Sequence, residues 1–143
     1  MAKVQIRLPE DFLLKISRLG SDFDTVAADV LNAGGKVVLA KVRGNLSSVI
    51  GRGIRHPSRS TGELERSLGL SPAKLNRDGN LDVKIGFSEP RRDGGSNAML
   101  ANILEYGKHG QPAKPFLKSA VSAAKSECVR AMRDKLEEEV GRL

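Results

Sequence analysis

The feature that most constrains this chain is a break between two helical patterns, N-I-L-E-Y-G-K-H-G-Q-P-A-K-P-F-L-K-S-A from Asn102 to Ala120. Ile103, Leu104 and Tyr106 give the first pattern an apolar end. Gly107 follows where a helix closes in a left-handed conformation that glycine adopts without steric cost. Gly110, Gln111 and Pro112 keep the connection extended, because a proline disfavours helical geometry in the residue before it. Pro115 reopens a helix at its first position, where a missing N–H has no partner to lose, and Phe116 and Leu117 pin that helix to the core. The chain must therefore change direction here. The joint residues Tyr106, Gly107, Pro112, Pro115 and Phe116 are assigned to scaffold, with both aromatics filling core, rather than to a ligand site.

The chain before the joint alternates period. Val4, Ile6 and Leu8 alternate with polar residues, the signature of a short half-buried strand that Pro9 ends. That strand is expected either at a sheet edge or paired with another subunit. Phe12, Leu13, Ile16 and Leu19 recur at helical spacing up to Gly20. Ser21 to about Ile50 reads as one long helix, opened by a capping-box pattern of Ser21 and Asp24. Its broad apolar stripe runs from Val26 through Val30, Leu31, Val38, Val42 and Leu46 to Val49. Gly34 and Gly35 interrupt the stripe at a cost of about 1 kcal/mol each relative to alanine. Close approach of another backbone, a kink, or a break between two helices would each account for them.

From Val30 to Gly62 the chain carries no acidic residue, while Lys36, Lys41, Arg43, Arg52, Arg55 and Arg59 are all positive. Residues 51–60, G-R-G-I-R-H-P-S-R-S, read as a flexible basic loop, since glycine, serine and proline supply little apolar surface to fix one conformation. Arg52, Arg55 and Arg59 are candidate partner-binding residues that would order against an acidic neighbour or passing DNA. A solvated loop that keeps the chain soluble is the plainer alternative. Ser60 and Glu63 form another capping-box pattern before a short helix through Leu64 and Leu68. Leu68, Leu70 and Leu75 then lead past Pro72 to Arg77-Asp78-Gly79-Asn80, a hairpin turn signal. Leu81, Val83, Ile85 and Phe87 form the clearest strand. A polar loop over residues 88–96 precedes a helix capped by Ser96 or Asn97.

After the joint, Pro115 to about Val140 places Leu117, Val121, Ala124, Cys128, either Ala131 or Met132, and Leu136 on one seam with spacings of three and four. The predicted architecture is α+β, a small antiparallel sheet packed against two long helices in a single domain spanning residues 1–143. With only 3% aromatic residues, the core must be aliphatic and gains less per residue than an aromatic one. Contacts with neighbouring subunits would supplement it. The single cysteine cannot form an internal disulfide and fits a reducing compartment. The first twenty residues mix charges through their apolar positions, unlike a signal peptide. The sequence contains nothing approaching a membrane span, so no membrane partner is expected.

Signs of chemistry are sparse. His56 and His109 have no histidine or cysteine partner at zinc-site spacing. Cys128 lies on an apolar seam, where a thiol is more often a small buried hydrophobe than a nucleophile. Gly51-Arg52-Gly53 lacks the pattern and context of a phosphate loop, and Glu63, Glu65, Glu89, Asp93 and Glu105 form no catalytic motif. No enzyme activity, metal or cofactor is predicted. The formal charge of +7 permits contact with nucleic acid, although no nucleic-acid-binding motif accompanies it.

The combination L-E-Y-G followed by Q-P-A-K-P-F-L-K-S-A resembles the tail-completion family of long-tailed bacteriophages and prophages, also called head-tail joining or neck proteins. The segment T-G-E-L-E-R-S-L from Thr61 to Leu68 is similar to that family's G-x-L-x-x-S element, and the hairpin at Asp78 and Gly79 stands where the family has one. The resemblance implies a structural virion assembly protein, a minor tail protein that joins the head connector to the tail tube by binding, without catalysis. It implies a homo-oligomeric ring, with six subunits to match the tube. The implied partners are itself, a connector or adaptor protein and the tail-tube protein, with non-specific contact to phage DNA open. The implied location is the host cytoplasm during assembly and then the virion neck or tail terminus. The alternatives are a cytoplasmic, non-specific DNA-binding accessory protein and, further off, a small hydrolase assembled from distant polar residues.

Overall fold

In the computed structural model of the chain, residues 3–17, 22–50, 62–89 and 95–141 are described. Two long antiparallel helices organise the rest: α2, Phe23–Val49, and α5, Phe116–Gly141. On α2 the buried positions include Val26, Val30, Gly34, Val38, Val42 and Leu46, four apart throughout. On α5 they include Ala120, Ala124, Cys128, Met132 and Leu136, again four apart. Each helix thus presents a ridge of the i±4 type to the other, and this is the most extensive contact in the fold. Of the two alternatives on the α5 seam, Met132 is the buried one, and the seam differs from the expected one at a single place, where Val121 is exposed and Ala120 takes the inward position.

α2 is uninterrupted, so the tandem glycines neither break it nor divide it. Successive helical residues point about 100° apart, and the two glycines face two different layers. A Cβ on Gly34 would stand 2.6 Å from Met132 Cγ and 3.1 Å from Cys128 Sγ, whereas one on Gly35 would stand 2.8 Å from Leu70 Cδ1 and 3.4 Å from Val83 Cγ2. Gly34 admits α5 and Gly35 admits the sheet. The close approach is therefore by side chains of two elements that share one helix.

The sheet is antiparallel and built on β4, Leu81–Phe87. On one side of β4 lies β1, Val4–Arg7, with Val4 opposite Ile85 and Arg7 opposite Asp82. On the other side β2, Leu68–Leu70, and β3, Lys74–Leu75, form one strand interrupted around Pro72. Ile6, Leu68, Val83 and Ile85 are buried beneath the sheet, joined by Phe12 and Ile16 from α1, Glu10–Ser17. The β3–β4 turn closes on Asn76. Its carbonyl accepts from Gly79 N–H at 3.1 Å, and its side-chain oxygen accepts from Asp78 N–H at 2.9 Å and Asn80 N–H at 3.1 Å. Gly79 alone in this turn has positive φ, 81°, so it is a three-residue loop with a left-handed glycine and not a two-residue type I′ turn.

Two short helices complete the fold, α3, Glu63–Ser67, and α4, Asn97–Tyr106. The residue before α3 is Gly62 at φ 78°, Ser60 of the expected capping box lies outside the described residues, and Leu68 already belongs to β2. Glycine is favoured there because the chain enters the helix in a left-handed conformation. Ser21, the expected cap of α2, lies outside the described residues. The residue before α2 is Asp22, whose side chain makes no capping hydrogen bond.

Candidate partner-binding surfaces

The joint after α4 is fixed by backbone geometry and by one buried carboxylate. Gly107 donates its N–H to the Ile103 carbonyl at 2.8 Å and has φ 79°. A Cβ there would lie 2.8 Å from Ala113 N and 2.9 Å from Gln111 O, so the returning strand of the joint packs directly on it. Lys108 and Gln111 exchange two backbone hydrogen bonds of 2.9 Å, and Lys114 N–H reaches the Leu104 carbonyl at 2.7 Å. Glu105, only 5% exposed, then accepts from Leu117 N–H at 2.8 Å and from Lys118 N–H at 3.0 Å. A carboxylate on one helix thus satisfies the free amides at the start of the next. Pro115 stands immediately before α5, and its carbonyl accepts from Ser119 Oγ at 2.7 Å.

The start of α4 is held in a similar way. Ser96 Oγ accepts from Met99 N–H at 3.1 Å. The Glu89 carboxylate accepts from Ser96 Oγ at 2.8 Å, Asn97 N–H at 3.0 Å and Ala98 N–H at 2.6 Å. Sequence reasoning identified neither Glu89 nor Glu105 as a capping group, because their amide partners lie eight or more residues away and no fixed spacing marks the pair.

Phe116 is buried, with its ring edge-to-face against Phe87 at a centroid distance of 6.2 Å. Tyr106 is 70% exposed, contrary to the expectation that it fills core. The fully buried positions of α4 are Asn97, Ala101 and Glu105, four apart, which turns Tyr106 outward. Pro112 and Pro115 are exposed and Gly107 is half-buried. Arg52, Arg55 and Arg59, with the whole 51–60 segment, lie outside the described residues.

Tyr106 shares a hollow with Lys3, Val4, Leu117 and Val121. It adjoins a second groove of about 290 Å³ that runs beside β1 and is floored by Val38, Cys128, Val129 and Met132 of the helix pair. Among the described residues β1 pairs with β4 on one side only, so its other edge faces this groove. An unpaired edge beside exposed apolar side chains can accept an added strand, with main-chain bonds for affinity and the hollows for side-chain selection. Its short length, Lys3, Arg7 and the following Pro9 are the features that guard such an edge against indiscriminate pairing.

The solvent-facing side of the sheet is cationic. Arg7 and Lys74 stand opposite Asp82 on its two flanks, and Lys84 stands opposite Gln5. Asp82 is 3% exposed and accepts from the amides of Gln5 and of Asn76, the latter at 3.3 Å. Among the described residues, Lys3, Arg7, Lys74 and Lys84 have no ion-pair partner. Their charges are therefore open to an anionic neighbour.

Among the described residues no group of three or more His, Cys, Asp or Glu is placed to hold a metal ion, and no helix is long and apolar enough to cross a membrane. Cys128 is buried, and loss of solvent pushes its thiol pKa up, which disfavours the thiolate. Residues 10–107, more than half of the chain, match the family model HK97-gp10_like, described as "Bacteriophage HK97-gp10, putative tail-component". Neither a curated protein nor a solved structure matches the chain.

Proposed function

The chain belongs to the HK97-gp10-like family of bacteriophage tail components, and from that premise we propose that it joins the head connector to the tail tube by binding both. A structural place in the virion follows from the family. The narrower assignment to the neck or tail terminus rests on the family match together with one surface feature, the open edge of β1 beside exposed Tyr106 and Val121. That edge suits a protein partner that contributes an extended segment. Copies of the chain would form a ring, six subunits matching the tube, before or during docking, and assembly would take place in the host cytoplasm. The role is binding, without turnover.

The basic 51–60 segment is proposed as a second contact. Replacing Arg52, Arg55 and Arg59 with serine should leave the unfolding midpoint unchanged and weaken joining. The principal experiment is to assemble particles without this protein and view them by electron microscopy. Separate full heads and complete tails are expected, and normally joined particles would reject the proposal. The open cationic face formed by Lys3, Arg7, Lys74 and Lys84 favours a second reading, non-specific contact with DNA. That reading requires duplex binding by the isolated chain that weakens steeply with salt.

A further inference from the structure

The two long helices sort their charges lengthwise. Between Val30 and Val49 on α2, and between Phe116 and Ser126 on α5, there is no acidic residue, while Lys36, Lys41, Arg43, Lys118 and Lys125 are exposed. The opposite half carries Asp24 and Asp29 on α2 with Glu127, at its border with the basic half, and Asp134, Glu137, Glu138 and Glu139 on α5. Antiparallel packing brings like ends together. Gly34 meets Cys128 and Met132, and Asn45 Nδ2 donates to the Phe116 carbonyl at 3.2 Å, so the acidic start of α2 lies alongside the acidic end of α5. Arg130, Arg133 and Lys135 temper the acidic half, and Lys135 pairs with Glu138 at 3.6 Å and Glu139 at 3.3 Å. Near the basic half the acids are few. Glu105 is committed to the α5 amides and Glu65 accepts from Ser47 Oγ at 2.9 Å, with Glu63 beside it on α3.

This order works with the helix dipole on α2 and against it on α5, where bases stand near the positive end and acids near the negative end. Intrahelical electrostatics therefore do not explain it. Helices of 27 and 26 residues are about 40 Å long, whereas charges in physiological salt are screened beyond about 8 Å. The two ends cannot neutralise one another within one molecule. A second copy can bring them into contact.

We propose that the acidic end of the α2–α5 pair docks on the basic half of the same pair in a neighbouring copy. The contact is heterologous, one patch meeting a different patch, and so propagates into a ring when its rotation closes. It rests on the ring reading above and names the surfaces that would build it.

The test uses the full chain and two charge-reversed variants, Lys41→Glu with Lys125→Glu, and Asp134→Lys with Glu137→Lys. All four positions are exposed. Self-association is measured by sedimentation velocity at low and high ionic strength, with thermal melts as a check on folding. The unaltered chain should associate at low ionic strength and dissociate as salt rises. Each variant alone should melt as the parent does but self-associate with a dissociation constant at least about tenfold higher. An equimolar mixture of the two should associate again, because each reversed patch then meets its new complement. Parent-like association by either variant alone, or a mixture of folded variants that stays monomeric, would overturn the proposal. If the lysine variant loses only duplex DNA binding while self-association is untouched, the basic half serves nucleic acid and the proposal is likewise overturned. Particle joining, assayed in parallel, separates the two ideas. Joined particles with self-association unaffected by either variant sink this contact alone, whereas a chain dispensable for joining sinks the role itself.

Discussion

Removing the carboxylate of Glu105 should loosen the connection between α4 and α5 more than any other single polar change. Glu105 is 5% exposed and accepts hydrogen bonds of 2.8 and 3.0 Å from the amides of Leu117 and Lys118. Glu105→Ala leaves both donors without that acceptor, and Leu117 is itself buried. An unsatisfied buried donor costs about 1–3 kcal/mol, and a carboxylate at a helix start contributes about 0.3–2 kcal/mol through the dipole. Lys118 is exposed and water can serve its amide, so the expected loss is about 2–4 kcal/mol, dominated by Leu117. For a chain of this size that is a fall of roughly 10 °C in melting temperature. Glu105→Gln retains one acceptor oxygen but turns an NH2 group toward the second amide, so about half the loss is expected. The assay is urea unfolding followed by far-ultraviolet circular dichroism, with an unchanged denaturant slope as the sign that only stability has moved. An alanine variant within about 0.5 kcal/mol of the parent would refute the capping role, because surface substitutions without structural consequence fall in that range.

Three further outcomes are expected. Phe116→Ala should destabilise the fold by about 3–5 kcal/mol, because the ring is buried against Phe87; an unchanged urea midpoint would place that ring outside the core. Gly44→Ala should stabilise by up to about 1 kcal/mol, since a Cβ there meets nothing within 4 Å, whereas Gly34→Leu should destabilise by about 1–3 kcal/mol through overpacking against Met132 and Cys128; parallel melts of the two variants check the contrast. Burial raises the Cys128 pKa above its ordinary 9.0, so the thiol should resist alkylation at pH 8 until the chain is unfolded. The same shift sets a sign for stability: as pH rises through the unfolded thiol's pKa the unfolded state loses its proton first, and stability declines only in that alkaline range, as a urea titration against pH would show.

How much of this was legible in the sequence depends on what carries each element. α2 and α5 are built by apolar burial, and their stripes, the joint at Gly107 and the buried ring of Phe116 could be read from periodicity and turn chemistry. The tandem glycines could be recognised as costly, but the layers they admit depend on elements separated from them by dozens of residues. α4 obeys a different logic. Its inward positions are Asn97, Ala101 and Glu105, and the first and last are tied by hydrogen bonds, Asn97 Nδ2 to the Ser88 carbonyl at 2.7 Å and Glu105 to α5. Leu100, Ile103 and Leu104 are only half-buried, and Met99 and Tyr106 are exposed. Leu100 and Leu104 still pack against the core, but a search for apolar periodicity does not place Asn97 and Glu105 inward and gives no sign that Tyr106 turns out.

That shift of the inward face bears on how the surface is made. A helix tied by polar contacts at both ends, with Ala101, Leu100 and Leu104 packed on the core between them, can leave Met99 and Tyr106 pointing outward without losing its place. Ser96, Glu89 and Glu105 fix the two ends of α4, so Tyr106 is held at the mouth of the hollow beside Val4 and Val121 instead of collapsing onto the core. The amphiphilic ring is then presented next to the unpaired edge of β1 at a position set by the joint. The same glycine and proline connection that reverses the chain thus also fixes where an incoming partner would find both a strand edge and an aromatic contact.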